Sequence, residues 1–387
     1  MRDHTRRDFL KSFGGAAAAW PFAGRSMAQH GEVAEAAGQR RVSGSVLMPP
    51  DQWKPLGYAV VGIGSIAMGE VMPALTKTKR SRLTGFVSGH PDKARHFAQL
   101  YGVPENNIYN YDNYDQIASN PDIDAVYIAL PNSMHAEYTI RGAKAGKHVL
   151  CEKPMCTSVK DGEAMIAACR AANRRLMIAY RLHYEQYNLE AMKMCHEKQF
   201  GPIKMVDAEF SFVIGNPKQW RLDESLAGGG SMMDIGIYCL QAARYLTGEE
   251  PLSVYAQTWS SDPGKFSEVE ENISFLLSFP SGVIANCYSS YGIDGMDRYR
   301  AAGPQGWIEM EPAFVYSGLV QRIYKDGKFT TTWPSTWDQF AAEIDAFSAA
   351  VQLNRDIATP GEEGLRDMKI IAACYQSART RQSVALT

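Results

Sequence analysis

Four shortages narrow what this chain can be. It has seven cysteines, an odd number with no short paired spacing. No disulfide framework is expected, even in a compartment that would permit one. Its eight histidines form no H-x-x-x-H or H-x-H cluster, so no metal site is expected. No apolar run reaches the roughly 20 residues of a membrane span, and no stable membrane anchor is expected. The formal net charge is only −2, which gives no reason to expect nucleic acid or an anionic membrane surface as a partner. There is no internal repeat and no low-complexity tract. The length of 387 residues is enough for two domains.

What is present begins with a targeting pattern. Thr5–Arg6–Arg7–Asp8–Phe9–Leu10–Lys11 is a twin-arginine sequence, followed by a weakly apolar run from Phe13 to Phe22. Ser26–Met27–Ala28 reads as a small-x-small cleavage site. Residues 1–28 are therefore expected to be a signal peptide, read by the twin-arginine export machinery and delivering a folded protein to the periplasm. Residues 29–56 are polar and then proline-containing, and read as an extended arm.

From Gly57 the pattern alternates strand and helix. Val60–Val61 leads into a glycine turn; Leu83–Ser88, Asp124–Leu130, His148–Cys151 and Arg175–Tyr180 read as further strands. Pro91–Tyr101, Asp112–Ser119, Ser133–Ala145 and Ser158–Ala172 read as the helices between them. This spacing predicts a doubly wound, mostly parallel sheet over residues 57–181, of the α/β dinucleotide-binding kind. After residue 200, long β-rich runs take over: Ile203–Val213, Leu252–Ser260, Ser267–Phe279 and Gly282–Tyr291. Helices are expected at Met232–Leu246, Gln339–Val351 and Glu363–Thr380. Residues 182–387 read as an α+β domain on an open, mostly antiparallel sheet, serving substrate binding and oligomerisation. The outer face of that sheet predicts a homodimer or homotetramer.

The chemistry is expected at strand ends, because ligands of such sheets lie beyond the carboxyl ends of the strands. Gly62, Gly64 and Ala67, with Ser65 and Ile66 between them, give G-x-G-x-x-A, a variant of the dinucleotide fingerprint. A helix start there offers free N–H groups to a pyrophosphate. The second strand ends in Ser88, with Lys93 one turn into the next helix and no carboxylate at the strand end. A hydroxyl and a cation suit a 2′-phosphate, so NADP is expected rather than NAD. The bland alternative is that Ser88 caps the following helix. Glu152–Lys153–Pro154 follows a strand, and a lysine there is a candidate proton donor or electrostatic clamp. Gly228–Gly229–Gly230 allows close backbone approach, and Ser231 is a candidate helix cap. Asp234 and Tyr238, four residues apart, share a helix face. An acid, a phenol and a lysine make a workable proton relay for alcohol and ketone chemistry.

Together, the glycine turn, Glu152–Lys153–Pro154 and Asp234–Ile235–Gly236–Ile237–Tyr238 resemble the glucose–fructose oxidoreductase and inositol dehydrogenase superfamily. Leu130–Pro131–Asn132–Ser133, Lys144–Ala145–Gly146–Lys147–His148–Val149, Gln219–Trp220–Arg221–Leu222 and Pro360–Gly361–Glu362–Glu363–Gly364 extend the likeness over the chain after residue 45. The resemblance implies that Lys153 and Tyr238 handle the proton on a sugar oxygen, supported by Asp234. It implies a tightly bound NADP lined by the glycine turn, Ser88, Lys93, Tyr111, Leu130, Pro131, Asn132, His135, Glu152, Trp220 and Arg221. Tyr180 and Arg181 would border nicotinamide and sugar. In the glucose–fructose oxidoreductase branch, where tyrosine stands at the position of Tyr238, an amino-terminal arm traps the cofactor; residues 29–56 match that arm poorly in detail. The implied activity is hydride transfer from C1 of an aldose to bound NADP and on to a second sugar. The alternatives are an NAD-using glycosidase of the same superfamily and an ordinary NADP-dependent sugar dehydrogenase.

Overall fold

The computed structural model describes residues 54–386. The twin-arginine segment, its cleavage site and nearly all of the arm at 29–56 lie outside the described residues. Two sheets organise the described part. The first has strand order β3-β2-β1-β4-β5-β6, all parallel, which is the doubly wound order of a dinucleotide-binding sheet. Its strands are β1 (Leu56–Val61), β2 (Ser81–Val87), β3 (Ile108–Tyr109), β4 (Ala125–Ile128), β5 (His148–Glu152) and β6 (Leu176–Ala179). Every residue of β1, β4 and β6 is buried. Strands covered on both faces have no polar side to show, hence the continuous apolar runs.

The connections are helical. The glycine turn runs into a π-helical turn (Ala67–Val71) and α1 (Met72–Leu75). Then come α2 (Pro91–Tyr101), with Pro91 in its first turn, α3 (His135–Lys144) and α4 (Val159–Ala171). Expected ends are off by a few residues. The expected helix at Asp112–Ser119 is a 3-10 turn, Tyr114–Ser119. The expected start at Ser133 is likewise a 3-10 turn, Asn132–Met134, ahead of α3.

The second sheet has nine strands, in the order β14-β13-β12-β11-β7-β10-β9-β8-β15. Only β7 (Met205–Ser211) and β10 (Ile284–Ser290) pair in parallel. The expected runs became β7, β8 (Ser253–Trp259), β9 (Asn272–Ser278) and β10. The hairpins β11–β12 (Asp297–Gly303, Gly306–Met310) and β13–β14 (Gln321–Lys325, Lys328–Thr331), and β15 (Val384–Ala385), carry no strong sequence period. The run at Ser267–Phe279 is strand only from Asn272 on. Glu270 and Glu271 just before it bond main-chain N–H groups of other segments instead of a ladder.

Between β6 and the second sheet lie a 3-10 turn (Arg181–Tyr184) and α5 (Gln186–His196). Further on, α6 (Glu224–Ala227), a second π-helical turn (Met232–Gly236) and α7 (Ile237–Thr247) lead back under the second sheet. Of the last two helices, α8 (Gln339–Leu353) returns to the first sheet, and α9 (Gly361–Thr380) runs from β6 onto β8 of the second. Phe340, Ile344 and Phe347 of α8 join one core with Tyr58, Val60 and Leu75. Burying each such side chain contributes about 1.5–3 kcal/mol. Tyr58 Oη lies 2.8 Å from Ser348 Oγ, so the buried phenol of β1 is satisfied by a helix nearly 300 positions away. This packing sets α8 behind the carboxyl ends of β5 and β6. All seven cysteines are buried and unpaired. Among the described residues no helix is long and apolar enough to cross a membrane.

Candidate active site

The glycine turn is built by two glycines with different jobs. Gly62 has φ +92°, and a Cβ there would stand 2.6 Å from the carbonyl oxygen of Ala129. It is needed by the fold itself. A Cβ on Gly64 would meet nothing within 4 Å. Gly64 and Ser65 are exposed, and the helix that starts here carries no side-chain cap. The open space above Gly64 and the uncapped N–H groups fit a pyrophosphate.

At the end of β2, Ser88 is buried and its Oγ accepts from the N–H of His90 at 3.1 Å. The residue at the N-cap of α2 is His90, and no side chain caps the helix there. The hydroxyl of Ser88 thus shapes the loop rather than capping the helix. A cleft of about 430 Å³ opens here, lined by His90, Pro91, Asp92 and Lys93. Asp92 was not anticipated on that wall; its carboxylate accepts from Arg95 Nη2 at 2.6 Å. Tyr111 lies under the same loop, its ring edge 3.0 Å from where a Cβ of Gly89 would be.

The ends of β4 and β5 are tied together from beneath. His135, 1% exposed, sets Nδ1 2.8 Å from the carbonyl of Pro154 and Nε2 2.9 Å from that of Leu130. Its burial pushes the imidazole below its usual range. Buried between these two carbonyls, and donating to one of them in its neutral form, His135 does not line the cleft as expected; it sits between the two loops that do. Asn132, also buried, donates Nδ2 to the carbonyl of Ala227 on α6 at 2.8 Å, which leaves Pro131 as the part-exposed residue of the turn. Glu152 accepts from Tyr127 Oη at 2.8 Å and from the N–H of Lys153 at 3.2 Å. The Lys153–Pro154 bond is cis.

Lys153, Asp234 and Tyr238 meet at this point, although 81 positions separate the first two. Lys153 Nζ donates to the carbonyl oxygen of Asp234 at 2.6 Å and lies 3.3 Å from its Oδ1. The same Nζ sits 4.8 Å from the ring centroid of Tyr238. Burial works against the ammonium, but Tyr238, Asp234 and Glu152 outweigh it, and Lys153 is raised above the ordinary lysine range. Asp234 is the anchor. Its Oδ2 accepts from Arg221 Nε at 2.8 Å and from Tyr291 Oη at 3.1 Å. Burial would raise its carboxyl, but Arg221 and Lys153 hold it at about 2. Asp234 therefore stays ionised and Lys153 stays charged at neutral pH.

The helix carrying Asp234 and Tyr238 starts in a way the sequence did not announce. Ser231 makes no cap; its Oγ donates to the carbonyl of Ser289 at 3.3 Å. The carboxylate of Glu270 takes the N–H groups of Gly230 and Met232, each at 2.8 Å, and Tyr375 Oη donates to it at 3.1 Å. The glycines let this strand and helix approach. A Cβ on Gly230 would lie 1.9 Å from the carbonyl oxygen of Glu270, and one on Gly229 2.1 Å from Tyr375 Oη. The close approach expected of Gly228–Gly230 is to the protein itself.

Two expected substrate residues behave differently. Tyr180 is 2% exposed within the main core, so it does not face the cleft. Arg181 is 4% exposed and held through both terminal nitrogens. Its Nη1 donates to Gln339 Oε1 at 2.6 Å and to the carbonyl of Val315 at 3.2 Å, and its Nη2 to the carbonyl of Phe314. Its guanidinium lies 4.9 Å from the ring centroid of Tyr238 and 4.7 Å from that of Tyr316. Arg181 is a fixed cation against Tyr238, not a mobile wall. Trp220 stacks on the guanidinium of Arg221 at 4.6 Å, so this pair steadies Asp234. Tyr291, Tyr316, Gln339 and Glu270 were missed. No local motif marks them; only long-range contacts bring them here. Among the described residues, no cluster of His, Cys, Asp and Glu could hold a metal ion.

Comparison with known proteins identifies the family of both domains. Residues 56–180 match the oxidoreductase family with an NAD-binding Rossmann fold, and residues 188–309 match the GFO/IDH/MocA C-terminal domain. A crystal structure of aldose–aldose oxidoreductase from Caulobacter crescentus, complexed with glycerol, is similar with TM-score 0.84 and 46% identity. The match covers 86% of this chain and 100% of that one. D-xylose 1-dehydrogenase [NADP(+)] from Haloarcula marismortui is 30% identical, over 86% of this chain and 93% of the relative. A 3-ketoreductase from Actinomadura kijaniata, solved with NADP and TDP-benzene, is 26% identical with TM-score 0.75, over 84% and 98% of the two chains. With both of its domains matched, the chain that joins a parallel sheet bearing the dinucleotide turn to a mostly antiparallel second sheet belongs to the GFO/IDH/MocA family of oxidoreductases.

Proposed function

We propose that this protein is an NADP-dependent sugar oxidoreductase that takes hydride from C1 of an aldose and delivers it to the carbonyl of a second sugar. The observation that carries the reading is the meeting of Lys153, Asp234 and Tyr238 beside the ends of β4 and β5. The similar aldose–aldose oxidoreductase supports the sugar pair, and the NADP-named relatives support the cofactor. When bound, the nicotinamide supplies the hydride acceptor and donor. Tyr238 accepts the hydroxyl proton of the first sugar and returns one to the carbonyl oxygen of the second. Lys153 holds positive charge beside that oxygen, and Asp234 fixes the lysine. Export motivates the two-sugar cycle: a periplasmic enzyme has no free nicotinamide pool, so a tightly held cofactor must be recycled in place. The test is to purify the holo-protein, release its cofactor by denaturation, and follow absorbance near 340 nm as sugars are added. Reduction by one sugar and reoxidation by another, with no added cofactor, is expected. The second reading is an ordinary NADP-dependent sugar dehydrogenase, favoured by the xylose dehydrogenase relative. It requires turnover of added free NADP by one sugar alone.

Three further outcomes are expected. Ser88→Asp brings a carboxylate to the end of β2 and weakens NADP roughly tenfold or more by repulsion. Native mass spectrometry that finds NAD in the parent protein overturns this preference. The outer face of the second sheet carries part-exposed Leu276, Ile284 and Phe329, and we assign it to a homodimer or homotetramer contact. A monomeric mass by light scattering at micromolar concentration rejects it. Replacing Arg6 and Arg7 by lysine is expected to strand the protein in the cytoplasm; unchanged secretion refutes the export route.

A further inference from the structure

The helix behind the site carries an acid with nothing to hold it. Gln339 and Glu343 stand one turn apart on α8, on the same helix face. Gln339 is fully used. Besides accepting from Arg181, it donates Nε2 to the carbonyls of Val315 at 3.1 Å and Tyr316 at 2.6 Å. Phe340, between them, packs on the guanidinium of Arg181 at 5.8 Å and on the ring of Tyr316 at 5.4 Å. Glu343 is 0% exposed, and neither carboxyl oxygen has a hydrogen-bond partner among the described residues. The groups whose charge acts on it are Glu152 from β5, Tyr127 from β4, and Arg181 and Tyr184 from the turn after β6.

A fully buried carboxyl and a part-buried one that interact do not both ionise readily, so one proton is retained between them. Hydrogen bonds decide which one keeps the charge. Glu152 has two donors, the phenol of Tyr127 and the N–H of Lys153. Glu343 has none. Burial and the charge of Glu152 push the Glu343 carboxyl well above its usual range, and Arg181 offsets this only in part. A neutral acid in that place costs the fold stability at neutral pH, where the unfolded chain would release the proton.

We propose that Glu343 is a positioning residue for the reaction: buried, unpartnered and one turn from the Gln339 that holds Arg181, it backs the Arg181 and Lys153 cations as a neutral group while Tyr238 exchanges a proton with the sugar. Loss of the Glu343 proton at high pH adds a negative charge beside the fixed cations Lys153 and Arg181 and weakens the positive field they set on Tyr238. The inference rests on the oxidoreductase reading above, and its test separates the two.

Glu343→Gln keeps the size and the neutral state but removes the titration. Its first readout needs no sugar: thermal unfolding of parent and variant from pH 4 to pH 9. A carboxyl whose folded pKa is raised binds more protons in the folded chain, so its presence lowers stability as pH rises from about 4.3 upward. The two proteins are expected to match at pH 4. At pH 8 the variant is expected to melt roughly 2–4 °C higher. The second readout is the rate at which sugar reduces the bound cofactor across the same range. The parent is expected to lose rate on the alkaline side, and the variant to retain at least threefold more at pH 9. Superimposable unfolding curves mean that Glu343 is ionised in the fold and overturn the proposal. A stability difference with identical pH–rate profiles makes Glu343 a structural acid only and also overturns it. If no sugar reduces the cofactor, the reading of the reaction fails, while the unfolding curves still decide whether Glu343 holds its proton.

Discussion

Tyr238→Phe is expected to keep the fold and the bound cofactor yet slow both half-reactions by roughly 10²–10⁴, the scale of a lost general acid–base group. The ring is held without its hydroxyl, since Phe210 and Phe314 pack on it with centroids at 5.5 and 5.8 Å. The other members of the cluster are poorly suited to take the proton. Asp234 is held at about 2 by Arg221 and Lys153 against its burial, and Lys153 is raised by its partners despite burial, so both stay charged near neutral pH. Tyr238 is the remaining group of the three, and its oxygen serves both half-reactions by accepting as phenolate and donating as phenol. Lys153→Ala is expected to lose at least as much, because it removes a cation 4.8 Å from the ring and the donor that ties β5 to the Asp234 turn. Each half-reaction is to be followed by single-turnover absorbance of the bound cofactor. If Tyr238→Phe reduces it at the parent rate, Tyr238 is a packing residue and the proton moves elsewhere.

The second large effect falls on stability. Gly230→Ala puts a methyl group 1.9 Å from the carbonyl oxygen of Glu270 and 2.9 Å from its N and C atoms. All three atoms are backbone, so no flexible side chain can give way. A loss of about 3 kcal/mol or more is expected, at the upper end of overpacking costs, or a fall of roughly 6 °C or more in Tm. The change also spoils the Glu270 cap that starts the helix of Asp234 and Tyr238, so activity falls with stability. Gly64→Ala is the contrast. Its Cβ meets nothing within 4 Å, so the unfolding curve is expected to stay put while cofactor retention drops, the methyl entering space a pyrophosphate would use. A parent-like melting temperature for Gly230→Ala would show that the segment carrying Glu270 moves aside.

Much of the fold was legible, because periodicity and punctuation are local. Buried β1, β4 and β6 announce themselves as apolar runs, and the glycine turn, Pro91 and the helix ends lie where residue chemistry puts them. The second sheet was legible only in part. Strands β11 to β14 are short and rich in charged and small residues. Arg300 and Arg322 reach them as partners of Glu309, a cross-strand arrangement with no signature along the chain. The run at 267–271 alternates like a strand but is a loop, because Glu270 is needed by a distant helix start.

The site divides along the same line. Sequence alone determined the dinucleotide turn, the lysine at the end of β5 and the pairing of Asp234 with Tyr238, since each depends on neighbours within a few residues. Only tertiary structure decided how they work together. It took Tyr291 to complete the hold on Asp234, 57 positions away, and Gln339 to lock Arg181, 158 positions away. It turned His135 from a cofactor contact into a buried group between two loops and buried Tyr180 in the core. It also buried Glu343 one turn from Gln339. Burial and long-range hydrogen bonds set the charge of each of these groups, and neither quantity exists until the two sheets and the returning helix α8 are packed together.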